Sequence, residues 1–97
     1  MSDAIVGLCT IEFYLPGLTS LKEKRSILKS MLARMHNTFN VSAAEVARQD
    51  QWQSAVIAFA VVSNSTAHSQ QVVENVLKWV EDNYPDAMLV KHDVEVL

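Results

Sequence analysis

The chain has 97 residues, 49% of them hydrophobic and 20% charged, with a formal net charge of −3. That length supports one hydrophobic core, so a single domain over residues 1–97 is expected, and the composition excludes disorder as the default state. The longest apolar run, residues 55–62, is too short to span a bilayer, and the opening MSDAIVGL has no basic region ahead of its apolar residues, so a cytoplasmic protein without a membrane partner is expected.

Residues 4–15, AIVGLCTIEFYL, are rich in strand formers, with Ile5, Cys9, Ile11, Phe13 and Leu15 on one side of a period-two pattern. Cys9 has no second cysteine to pair with, and its apolar strand predicts a buried thiol rather than a nucleophile. Pro16-Gly17 marks a turn. Ser20 with Glu23 three residues later forms a capping-box pattern, and Leu21, Leu28, Leu32, Met35 and Phe39 fall on one stripe of a helix over about 21–38.

Residues 41–47, VSAAEVA, read as a short strand, joined through the polar loop RQDQ to a longer one over 52–63. The continuous apolar character of 55–62 predicts that this strand is central. SNSTAHSQQ offers several helix caps, and Val73, Val76, Leu77, Val80 and Tyr84 form a second helical stripe over about 66–83, stopped by Pro85. The tail AMLVKHDVEV reads as a last strand, whose Lys91, Asp93 and Glu95 suit an exposed edge.

The order βαββαβ predicts an α+β, ferredoxin-like sandwich: a four-stranded antiparallel sheet with both helices on one face. The first and third strands, the most apolar, belong in the centre. The other sheet face is left bare. With Cys9 and Phe13 turned toward the helices, Val6 and Leu8 turn away, alongside Trp52, Val56, Ala58 and Val62. Such a face is commonly buried by another copy of the chain, so a homodimer with Val6, Leu8, Trp52 and Val56 in its interface is expected, unless the register slips by one residue and exchanges the faces.

The stretch SLKEKRSILK holds four of the eight basic residues of an acidic chain. Residues 20–36 carry five Lys or Arg against one Glu, so the remainder is strongly acidic. Lys22, Arg25, Lys29 and His36 follow spacings of three, four and seven and form a stripe apart from the leucines. The helix N-terminus adds backbone donors near Lys22, Lys24 and Arg25. This pattern fits an anion- or RNA-binding surface made of Lys22, Lys24, Arg25, Lys29 and His36, and it equally fits a solvated helix face.

The run SLKEKRSILK, followed by Glu45, Trp52 and Ser63-Asn64 in that order, resembles the YlxP-like family of small bacterial proteins of unknown function, over nearly the whole chain. The resemblance implies a ferredoxin-like fold and a ribosome- or RNA-linked housekeeping role, with ribosomal RNA or a ribosomal subunit as partner, and it assigns no reaction.

Other chemistries find less support. His68 and His92 lie in no recognised metal-ligand spacing, no pattern requires a cofactor, and nothing brings His36, Glu45 and Asp50 into a common acid–base site. No catalytic residues are assigned, and nothing indicates DNA. The strand AVIAFAVV lacks the surface aromatics of an RNA-recognition motif, because Phe59 falls on the helix side. Acylphosphatases share the topology, but LPGLTSLKEKR lacks their glycine-rich phosphate loop. Two readings of different class remain: an RNA-binding module using the first helix, and a small-molecule-sensing or regulatory domain with a ligand pocket at a dimer interface.

Overall fold

A computed structural model describes residues 3–97, so Met1 and Ser2 of the opening stretch lie outside the described residues. Six elements follow in chain order: β1 (Ile5–Tyr14), α1 (Leu21–Thr38), β2 (Ser42–Ala47), β3 (Ser54–Ser63), α2 (Thr66–Asn83) and β4 (Met88–Val96). The four strands form one antiparallel sheet in the order β2-β3-β1-β4. This is the expected ferredoxin-like arrangement, with β1 and β3 in the centre.

Local chemistry sets the helix ends. Ser20 caps α1, its hydroxyl accepting from the backbone N–H of Glu23 at 3.2 Å. The reciprocal arm of the capping box is not made, because the Glu23 carboxylate accepts from the Thr19 hydroxyl instead. Ser65 caps α2 in the same way through the N–H of His68, 3.2 Å away. Pro85 follows Tyr84, whose N–H makes the last helical bond to the Val80 carbonyl.

Alternation along β1 and β3 sends Cys9, Ile11, Phe13, Ala55, Ile57, Phe59 and Val61 under the helices, where all are buried. They meet Leu28, Met31 and Met35 of α1 and Val73, Val76 and Val80 of α2 in one cluster. Each large aliphatic or aromatic side chain there contributes roughly 1.5–3 kcal/mol by leaving water. β3 begins at Ser54, two residues later than the sequence predicts; Trp52 stands in the bend before it. β4 is exposed along almost its whole length, since α2 packs on β1 and β3.

At Gly7, α2 comes close against the sheet. A methyl group at that position would lie 2.1 Å from the Ser69 hydroxyl oxygen and 3.2 Å from Val61 Cγ1. Gly7→Ala should therefore destabilise the protein by roughly 1–3 kcal/mol in urea unfolding. Part of that loss should disappear in a Ser69→Ala background, because the Ser69 Cβ itself stands at 3.5 Å, an ordinary contact. Equal losses in both backgrounds would show that the hydroxyl is not the obstacle.

Candidate functional site

Helix α1 carries five cations, and the structure divides them sharply. Lys22, Arg25 and Lys29 are exposed, and among the described residues none of the three has an ion pair or a side-chain hydrogen bond. They lie on the side of α1 opposite the buried Leu28, Met31 and Met35, and His36 extends the stripe into the last turn. Ser26 and Ser30 are exposed beside them. Three positive charges with two neighbouring hydroxyls make a surface suited to phosphate oxygens.

Lys24 does not belong to that surface. It is 0% exposed, its ammonium donating to the carbonyls of Arg48 at 2.6 Å and Gln51 at 2.7 Å and lying 2.9 Å from Glu45 Oε2. The contact with Glu45 has the length of an ion pair but lacks hydrogen-bond angles, so the two carbonyls set the direction of the ammonium. Those carbonyls belong to the β2–β3 turn, in which Arg48 adopts a left-handed φ of 58°. Lys24 thus ties α1 to the hairpin. The sequence carried a signal for this: the leucine stripe skips from Leu21 to Leu28, and position 24 is the core position left between them.

Arg34, the fifth cation, is also engaged. Its guanidinium donates to the Tyr84 hydroxyl at 2.9 Å and to Asn83 Oδ1 at 3.1 Å, and lies over the rings of Trp79 and Tyr84 at 5.5 and 5.3 Å. Phe39 meets Trp79 edge-on at 5.9 Å. This cluster clamps α1 to the C-terminal half of α2. Sequence periodicity gave no sign of it, because its members come from separate elements.

An open groove of about 750 Å³ runs beside the same helix. Leu15, Leu18 and Ile27 contribute apolar surface, Ser26 and Ser30 line its α1 side, and Tyr84 to Met88 close the other. It is separate from the bare sheet face. A shallower hollow of about 380 Å³ involves Tyr14, Trp52 and Ser54 at the end of that face.

The bare face is as the alternation predicts. Val6 pairs with Val62, Leu8 with Ala60, Thr10 with Ala58 and Glu12 with Val56, all turned away from the helices. Trp52 lies at its end, 48% exposed, rather than within the strand. Glu12 is ion-paired with Arg48, which also donates to the Ser54 hydroxyl at 2.9 Å.

Phe59 is 1% exposed and helix-facing, so it offers no base-stacking platform. Of the imagined acid–base groups, Glu45 is held by Lys24, whereas Asp50 lies in the loop and His36 on α1. His68 is in the first turn of α2 and His92 in β4. No helix among the described residues is long and apolar enough to cross a membrane.

Cys9 is buried, and desolvation, with the Asp93 carboxylate adding to it, pushes its thiol from 9.0 up to about 11. A thiol held back in this way should resist alkylation in the folded protein and react on unfolding. Its contribution to stability is full below pH 9, where both states are protonated, and declines as pH rises toward 11 because the unfolded thiol ionises first. Cys9→Ala should show a shallower alkaline loss of stability than the parent; parallel curves would contradict this.

The comparisons agree with this architecture. The model of a family described as "Protein of unknown function (DUF503)" matches residues 6–94. The uncharacterized protein YlxP of Bacillus subtilis (strain 168) is 37% identical over 82 residues, covering 84% of this chain and 88% of that protein. Among solved structures, the de novo designed protein Foldit4 aligns with a TM-score of 0.54 at 13% identity, covering 97% of this chain and 96% of the other, a likeness of fold alone. With the family model spanning nearly the whole chain and a relative this similar, the protein belongs to the DUF503 family, whose function is unknown.

Proposed function

We propose that this protein is an RNA-binding module that holds the phosphate backbone of structured RNA on the outer face of α1. One observation carries the reading: Lys22, Arg25 and Lys29 are aligned, exposed and free of internal partners, whereas on the same helix Lys24 is buried against the β2–β3 turn and Arg34, though exposed, is bonded to the end of α2. A helix face used only for solubility has no need to separate its charges so strictly, or to gather them in a chain of net charge −3. Ser26 and Ser30 add donors for phosphate or ribose oxygens. The expected partner is ribosomal RNA, in line with the family resemblance.

The test is binding of the purified protein to ribosomal subunits and to total RNA across a salt series, with duplex DNA for comparison and Lys22, Arg25 and Lys29 changed together to Ala. Binding to RNA should weaken with salt, and the triple variant should lose roughly 0.7–0.9 from the log–log slope for each phosphate contact removed. Equal binding by the parent and the triple variant would overturn the reading, as would no binding to either RNA sample.

A second reading is favoured by the groove of about 750 Å³. Its volume suits a small molecule with apolar body and polar edge, bound by a regulatory domain. It lies between the middle of α1, the segment that follows α2 and the β1–α1 loop, away from the sheet face where a dimer-interface pocket would sit. A metabolite present at a hundred times its dissociation constant should stabilise the fold by about 2.7 kcal/mol, visible as a thermal shift. No shift across a broad panel would count against this reading.

A further inference from the structure

The sheet face opposite the helices is a surface that the RNA reading leaves unused. Val56, Ala58, Ala60 and Val62 make it aliphatic along β3, and Val6 and Leu8 continue that surface onto half of β1, where Thr10 and Glu12 follow. Val62 is 65% exposed. Contiguous apolar surface of this kind is uncommon on a protein that stays alone in water.

We propose that this face binds a second copy of the chain, two sheets stacking face to face into a homodimer. Size is the first argument. Ten residues each in β1 and β3, six in β2 and nine in β4, at about 3.3 Å per residue and about 4.8 Å between strands, give a face of roughly 550 Å² in flat projection. Accessible area exceeds projection on a corrugated sheet, which brings each partner near the ~800 Å² of a standard stable interface.

Charge is the second argument, and it selects the occupant. The ionic pair of Glu12 with Arg48, toward the β2–β3 end of the face, is already formed within the chain and can be covered as a neutral unit. The β4 edge carries Lys91, Asp93 and Glu95 on this face, opposite Glu12, Thr10 and Leu8. Two cations against three carboxylates give no attraction for nucleic acid or an anionic lipid surface. They do suit a second copy: a two-fold axis that reverses strand direction about the Thr10–Asp93 level lays β4 over β4 and brings Lys91 of each copy to the level of Glu95 of the other. Asp93 then faces the partner's Asp93 across the axis, a like-charge pair that the edge position of β4 leaves in water. The α1 stripes remain on the two outer surfaces, so dimerisation and RNA contact do not compete, and neither proposal rests on the other.

Sedimentation of the full chain across a concentration series tests this, with Ala58→Glu placing an uncompensated charge at the centre of the face. The parent should sediment at twice the chain mass, and Ala58→Glu should dissociate at least about a hundredfold more readily while keeping its circular dichroism. A monomeric parent at all concentrations would overturn the proposal, as would a folded Ala58→Glu that dimerises like the parent. If Ala58→Glu fails to fold, Ala60→Cys serves instead, with the parent, whose one cysteine is buried, as the labelling control. Labelling of Ala60→Cys should slow as concentration rises through dimer formation; a rate independent of concentration, or a silent site in dilute monomer, would contradict the assigned face.

Discussion

Lys24→Met is expected to lower stability by about 3–5 kcal/mol, the usual cost of leaving one member of a buried ion pair alone. Glu45 is 18% exposed on its side chain, so water reaches part of the carboxylate and the lower end of that range applies. The loss has two sources. Glu45 is left with a buried, uncompensated oxygen, and the carbonyls of Arg48 and Gln51 lose their shared donor. Changing Glu45 to Leu as well should recover much of the stability, because an apolar pair of similar volume avoids the desolvation of both charges. Urea midpoints at unchanged slope would measure this. A single variant as stable as the parent would show that the ammonium is not the tie between helix and hairpin.

The second large effect separates stability from binding. Lys22 lies in the first turn of α1, where the positive end of the helix dipole disfavours a cation. Lys22→Glu should therefore stabilise the protein by about 0.3–1 kcal/mol and, at the same time, weaken RNA binding by at least tenfold, since it replaces a phosphate contact with a repulsion. Opposite signs are the point. A variant that is more stable and binds RNA as well as the parent would remove Lys22 from the contact surface.

Much of this architecture is legible in the sequence. The helix stripes and Ser20 and Pro85 mark both helices at their observed bounds, 21–38 and 66–83, because capping and 3.6-residue periodicity are local properties. The strands are found within one or two residues for the same reason, with Trp52 the exception. A tryptophan beside a strand former scores as strand, yet here the turn that Lys24 holds places it in a bend.

The basic surface is legible only in part. Residue type identifies Lys24 as one more cation of SLKEKRSILK, but its neighbours on the helix are Leu28 and Met31, and its partner Glu45 lies on the inward side of β2, 21 positions away along the chain. Tertiary pairing of that length has no local signature. The Arg34 clamp escapes notice likewise, since Trp79, Asn83 and Tyr84 become its partners only once α1 and α2 pack.

Salt dependence separates the engaged cations of α1 from the free ones. The slope of RNA affinity against salt would be measured for the parent, Lys29→Ala and Arg34→Ala, each verified as folded. Lys29→Ala should show a slope shallower by roughly 0.7–0.9, and Arg34→Ala an unchanged one. An unchanged slope for Lys29→Ala, or an equal loss from both variants, would contradict this separation.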